Sequence, residues 1–175
     1  HHRIDHNALV TEDIVSRYND LGLVVVLFGS SEACAADAGW TDFYKENGEE
    51  PAEIVAANPD VVFAWHGDDP WIVPVSPIGE LYGLVTRGAV AADGSTCEPA
   101  PWMAGEGVTV EQGLAMMTTG SAYALRQEDV VGSLTPGRFA DVVVLSDNPL
   151  TVAAGELPDI DVLMTMIGGV TEFCR

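Results

Sequence analysis

At 175 residues, 47% of them apolar, the chain can bury a core and amounts to one domain or part of a larger one. Its formal charge of −20, from 27 acidic against 7 basic residues with Lys45 as the lone lysine, excludes a nucleic-acid or anionic-membrane partner, whose phosphates would repel it. No apolar run reaches the roughly 18 residues that a bilayer span requires.

The first element is short, "RIDHNALV". Thr11 then opens "TEDIVSRYNDLG", a helix with Thr11 as N-cap, Glu12 and Asp13 at its positive end and Gly22 as terminator. "LVVVLF", Leu23 to Phe28, is an unbroken apolar run of strand length, as expected for a strand buried on both faces. A polar, irregular stretch leads to "PAEIVAANPD", a short helix and its stop. "VVFAW", Val61 to Trp65, is a second doubly buried strand. Strand, helix, strand, helix, strand signals a parallel sheet of βα units.

Residues 66–108 are rich in loops and proline, with "IGELYGLVTRGAV" able to form a helix. "VTVEQGLAMMTTGSAYAL" is a clearer helix: Thr109 and Gln112 form a capping box, and its methionines read as core filling. The pattern then changes. "VGSLTPGRFADVVVLSDNP" and "DIDVLMTMIGGVTEF" read as strands between turns, with Ile167-Gly168-Gly169-Val170 a hairpin signal. The chain divides into residues 1–128, built of βα units, and residues 129–175, a β-only tail.

Cys34, Cys97 and Cys174 are odd in number, far apart and without a CxxC pair. A disulfide framework and a structural zinc site are therefore not expected, and buried or half-buried free thiols are. No signal peptide is visible, and a cytoplasmic setting is expected. The chain begins His1-His2-Arg3 without Met, as a processed product, a piece of a longer chain or a tagged form would.

Parallel strands buried on both faces need helices on each side or closure into a barrel. A (β/α)8 barrel takes about 250 residues, and only about the first 125 are available here. The alternatives are a small open sheet and the last three-eighths of a barrel.

"GSLTPGRFADVVVLSDNPL", Gly132 to Leu150, resembles the C-terminal signature of the amidohydrolase superfamily, roughly G-S-L-x-P-G-K-x-A-D-h-h-h-h with h apolar; Arg138 stands at the Lys position. "MMTTGSAYAL" is similar to the family's T-x-x-x-A helix, and "MTMIGGVTEF" to its closing hairpin. Upstream, "HRIDHNALVTEDI" resembles a segment of the N-substituted formamide deformylase branch in which a histidine ends barrel strand six. "FAWHGDDPW" resembles the strand-eight segment h-x-h-G-S-D-x-P. The resemblance covers nearly the whole chain and makes His2 a native residue.

The resemblance implies an α/β fold: the last three βα units of a (β/α)8 TIM barrel, followed by strands of a small composite β-sandwich. The Val142–Leu145 strand would belong to the sandwich and serve structure. It also implies one or two divalent metals, commonly zinc, that lower the pKa of water. The family's ligands are an H-x-H pair from strand one, a carboxylated lysine or a carboxylate from strand four, histidines from strands five and six and an aspartate from strand eight. This chain can supply the last two. His6 matches the strand-six histidine, a metal ligand, with Asp5 beside it a strand-end polar residue. Asp68, counted back from Pro70, matches the strand-eight aspartate, which binds metal, takes a proton from the attacking water and returns it to the leaving nitrogen. The family's Gly-Ser is replaced by His66-Gly67, and Asp69 is a live alternative to Asp68. His66 and Trp71 are candidate substrate contacts, with Trp65 and Trp102 also near the rim.

The function implied is the C-terminal part of a metal-dependent hydrolase that cleaves a non-peptide C–N bond, amide or N-formyl, inactive as this segment alone. The competing reading is a catalytically incomplete orphan module that binds a partner chain. An upstream H-x-H after an apolar strand would decide for the enzyme. Expected partners are an amide-type small molecule and the missing N-terminal barrel portion; a homo-oligomer is left open.

Overall fold

The computed structural model describes residues 2–7, 9–29, 34, 45, 51–68 and 76–175. Its central element is β2, Leu23–Phe28, the uninterrupted apolar run. β2 pairs in parallel with β1, His2–Ile4, on one side and with β3, Val62–His66, on the other. Parallel neighbours require crossovers. The first is made by two short helices, α1 (Glu12–Val15) and α2 (Tyr18–Leu21); α3 (Pro51–Ala57) lies in the second.

Alternation along the strands assigns each side chain a face. Val25, Leu27 and Phe63 face a core completed by Tyr18, Ile54, Leu84, Val108 and Met116. Val24, Val26 and Ala64 lie on the opposite face and are also buried, so β2 is covered on both sides. Burial of Leu27 alone contributes about 1.5–3 kcal/mol.

After β3 come α4 (Pro77–Thr86), a two-stranded hairpin of β4 (Ala89–Val90) and β5 (Thr96–Cys97), and a long helical stretch. That stretch comprises α5 (Val110–Ala115), a π-helical turn (Met116–Gly120) and α6 (Ser121–Ala124). An antiparallel sheet ends the chain, in the order β6 (Val142–Leu145), β7 (Val162–Ile167), β8 (Val170–Cys174). A 3-10 turn, Ala154–Asp159, carries Leu157 against Leu81 and Tyr82, and Ile160 joins the same cluster.

Several expectations hold to the residue. Thr109 and Gln112 make both bonds of the capping box. Gly22 ends α2 in a left-handed conformation. Gly168 and Gly169, at φ +57° and +86°, make the tight turn between Ile167 and Val170. The "GSLTPGRFAD" residues serve structure: Arg138 donates to the Val131 carbonyl at 2.6 Å, and Asp141 accepts the Gly168 N–H at 2.7 Å.

Others are corrected. The expected helix from Thr11 to Gly22 is broken in two at Ser16-Arg17, and the Thr11 hydroxyl bonds the Asp13 carboxylate. The strand expected from Val61 runs one residue later and includes His66. The last helix is not continuous. Its π turn brings Gly120 onto the β3 backbone so closely that a Cβ there would sit 1.9 Å from the Phe63 carbonyl oxygen. Free thiols were expected throughout, but Cys34 and Cys97 form a disulfide, and Cys174 is free and exposed. The bridged cysteines are 63 residues apart and only the fold brings their Cα atoms to 5.2 Å; their spacing carries no sequence signal.

Candidate active site

The parallel strands end together, and the chemistry-bearing residues gather where they do. β1 stops at Ile4, and the chain turns sharply: His6 and Asn7 have φ of +82° and +49°. The buried Asn7 side chain holds this turn. Its amide donates to the carbonyls of Ile4 at 2.9 Å and Val26 at 3.1 Å, and its oxygen accepts the Tyr18 hydroxyl at 2.7 Å. Burial pushes the Tyr18 phenol above its ordinary range, so it stays a donor. The Phe28 N–H donates to the His6 carbonyl at 3.1 Å, tying the turn to β2.

At the end of β3, the Gly29 N–H donates to the His66 carbonyl at 2.8 Å. Two residues on, Asp68 adopts φ +56°. A left-handed non-glycine residue costs on the order of 1 kcal/mol or more and tends to occur at functional sites. His6, Asn7 and Asp68 bring three such residues to one end of the sheet.

The side chains converge. The His6 ring stacks on Phe28 with centroids 4.8 Å apart, and the His66 ring lies 5.1 Å from His6 and 5.2 Å from Phe28. His66 Nδ1 is 3.1 Å from Asp68 Oδ1, and His6 Nε2 is 3.9 Å from Asp68 Oδ2. A cavity of about 420 Å³ opens beside them, its walls including Arg3, Asp5, Ala64 and Trp65. Asp5 is engaged by Arg3, whose guanidinium contacts both carboxylate oxygens at 2.8 and 3.2 Å. Among the described residues, no group of three or more His, Cys, Asp or Glu side chains is arranged to hold a metal ion.

An amidohydrolase family model matches residues 1–173. The chain belongs to the amidohydrolase family. It is 29% identical over 145 residues to an N-substituted formamide deformylase from Arthrobacter pascens, a match covering 69% of this chain and 27% of that protein. Its fold is that of an amidohydrolase from Thermotoga maritima MSB8 (TM-score 0.60, 22% identity, 93% of this chain and 34% of that one). An adenosine deaminase from Xanthomonas campestris with bound zinc is similar too (TM-score 0.65, 20% identity, 99% and 37%). The chain thus spans about a quarter of the curated relative's length and about a third of these solved structures.

Within this amidohydrolase chain, the strand-end histidine and aspartate expected from the sequence, His6 and Asp68, are brought side by side, with His66 on the same carboxylate. His2 begins β1, at the other end from His6, and stays apart from the site. Trp65 lines the cavity. Trp71 and Asp69 lie outside the described residues. Sequence reasoning missed Phe28 and Asn7: the first merely closes an apolar run, and the second gave only the faint signal that asparagine tolerates a left-handed backbone.

Proposed function

We propose that this chain is the C-terminal part of a metal-dependent hydrolase that cleaves an amide or N-formyl C–N bond with water. Residues 1–128 would supply the last three βα units of a (β/α)8 barrel, and residues 129–175 part of a composite β-sandwich. Three features favour that architecture. The strands are parallel with catalytic-type residues at one end. β1 and β3 each leave an outer edge unpaired within the described sheet, where further strands would continue the barrel. The tail sheet exposes apolar side chains, Val143, Ile167 and Phe173 among them, that a second sheet would cover. The missing N-terminal barrel portion is the partner this reading requires.

The donor set fits a divalent metal. Two donors each about 2.0–2.2 Å from one zinc ion are at most about 4.4 Å apart, and His6 Nε2 and Asp68 Oδ2 are 3.9 Å apart. An imidazole nitrogen and a carboxylate oxygen also suit zinc chemically. His6 and Asp68 would hold it, and the remaining ligands would come from the absent strands. When bound, such an ion makes water acidic enough to ionise near neutral pH.

The residues of this chain then have separate tasks. Asp68, as a carboxylate, takes the proton of the attacking water and delivers it to the departing nitrogen. His6, laid against Phe28, holds its ring in one orientation. Trp65, Ala64 and the other cavity walls take up the small-molecule substrate, with His66 and Trp71 as further candidate contacts. The deformylase relative favours an N-formyl or similar amide.

The juxtaposition of His6 and Asp68 at the strand ends carries this reading. Its test is metal quantification on the longest native product containing this sequence, alongside turnover of an N-formyl surrogate. The reading expects zinc and turnover in the wild type and loss of both in His6→Ala. A metal-free wild type that hydrolyses the surrogate would overturn it.

A further inference from the structure

We propose that His66 is a positioning residue for Asp68: its Nδ1–H holds carboxylate oxygen Oδ1 and so turns Oδ2 toward His6. The inference rests on the reading of Asp68 as metal ligand and proton carrier.

The geometry gives the direction of the bond. An ionised carboxylate only accepts, so at 3.1 Å the Nδ1 atom of His66 must carry the proton. The imidazole is itself well fixed. Its residue is the last of β3, its carbonyl is bonded by Gly29, and its ring packs near both Phe28 and His6. Its Nε2 is buried without a hydrogen-bond partner among the described residues, which leaves Nδ1 as the ring nitrogen with a polar contact there, the Asp68 carboxylate. Asp68, by contrast, lies beyond the strand, and its side chain is 42% exposed. A short carboxylate in that setting samples several rotamers unless one oxygen is tied down. With Oδ1 tied to His66, Oδ2 remains as the oxygen nearest His6, at 3.9 Å. A hydrogen-bonded ligating carboxylate of this kind is the usual way a protein orients a metal ligand from behind.

The experiment uses the longest native product and compares His66→Phe, which keeps a ring, with His66→Asn, whose amide N–H stands near the place of Nδ1. Zinc affinity is measured by competition with a chromogenic chelator, and kcat and KM on an N-formyl surrogate. His66→Phe should weaken zinc binding about 10- to 100-fold, the range for a lost partner of a metal ligand, and lower kcat more than KM rises. His66→Asn should recover most of that affinity. Wild-type zinc affinity in His66→Phe overturns the proposal; so does a His66→Asn variant as weak as His66→Phe, which would make the imidazole a ligand in its own right. His6→Ala serves as the separate control: if it keeps full zinc, the metal-site reading fails, whatever His66 does. Should the variants not fold, 15N NMR of the wild type decides. Protonation at Nδ1 of a neutral His66 ring supports the proposal, and protonation at Nε2 overturns it.

Discussion

His6 lies flat on Phe28, ring planes 19° apart and centroids separated by 4.8 Å. A ring beyond the end of a strand, on a left-handed residue, has few other restraints, so Phe28 is the surface that sets its direction. Phe28→Ala should therefore disorder the imidazole as well as remove an aromatic contact worth about 0.5–1.5 kcal/mol. We expect zinc affinity to fall about tenfold, as for other groups that orient a ligand, and Phe28→Tyr to stay near wild type. Chelator competition on the three proteins checks this; equal affinities would show that Phe28 is only packing.

Asp68→Asn keeps the size of the side chain and removes its basicity. Turnover should drop by roughly 10²–10⁴-fold, the loss typical of a missing general base. Asp69→Asn should change the rate far less. Surrogate kinetics with metal quantified in each variant make the comparison. An inactive Asp69→Asn beside a near-normal Asp68→Asn would move the proton carrier one residue along "HGDDP".

The parts of the fold that could be read from sequence are those written locally. "LVVVLF" is a doubly buried strand whatever surrounds it, the T-x-x-Q box caps its own helix, and Gly168-Gly169 make their own turn. The proximity of His6 and Asp68 followed from the resemblance of "HRIDHNALVTEDI" and "FAWHGDDPW" to family segments, not from the pattern of the residues themselves. What could not be read depends on contacts between distant segments. The bridge of Cys34 to Cys97 and the stacking of His6 on Phe28 exist because the fold brings together segments distant in sequence. The π turn at Gly120 answers to the Phe63 carbonyl, about which the helix sequence says nothing.

Tyr18 couples the site to pH through Asn7. Its phenol titrates higher in the folded protein than the ordinary value near 10 because burial disfavours the phenolate. The folded state thus binds this proton more tightly than the unfolded chain. Its contribution to stability is fully present below about pH 10 and lost as pH rises through the folded value. Tyr18→Phe should flatten that alkaline fall. At pH 7 it should cost about 1–3 kcal/mol, because the buried Asn7 oxygen loses its donor. Urea unfolding from pH 7 to 11 gives both quantities, and an unchanged midpoint at pH 7 would contradict the account.

The Cys34–Cys97 bridge closes a long loop. By the chain-entropy argument it contributes about 4 kcal/mol. Reduction, or Cys97→Ser, should lower the melting temperature markedly, whereas Cys174→Ser should leave it unchanged. Alkylation of the unfolded native product, read by mass spectrometry of the peptides from this sequence, should label Cys174 but neither Cys34 nor Cys97 before reduction. Because such bridges persist mainly in oxidising compartments, labelling of all three cysteines without reductant would instead favour the cytoplasmic setting expected from the sequence.

The 175-residue chain by itself should not form a closed domain. β1 and β3 carry unpaired outer edges among the described strands, and unpaired edges invite pairing with other chains. The tail adds apolar exposure: Leu134 is 76% exposed, Phe139 60% and Ile167 59%. If the proposed barrel and sandwich are right, these surfaces are the seams where the rest of the protein sits. Expressed alone, the chain should aggregate, remain partly unfolded or self-associate, and adding the complementary N-terminal portion should convert it to a defined complex with higher thermal stability. Size-exclusion chromatography with light scattering, followed by calorimetry, reports both. A monodisperse monomer that melts cooperatively without any partner would mean the edges and apolar faces are tolerated as they stand, and the barrel reading would fail with them.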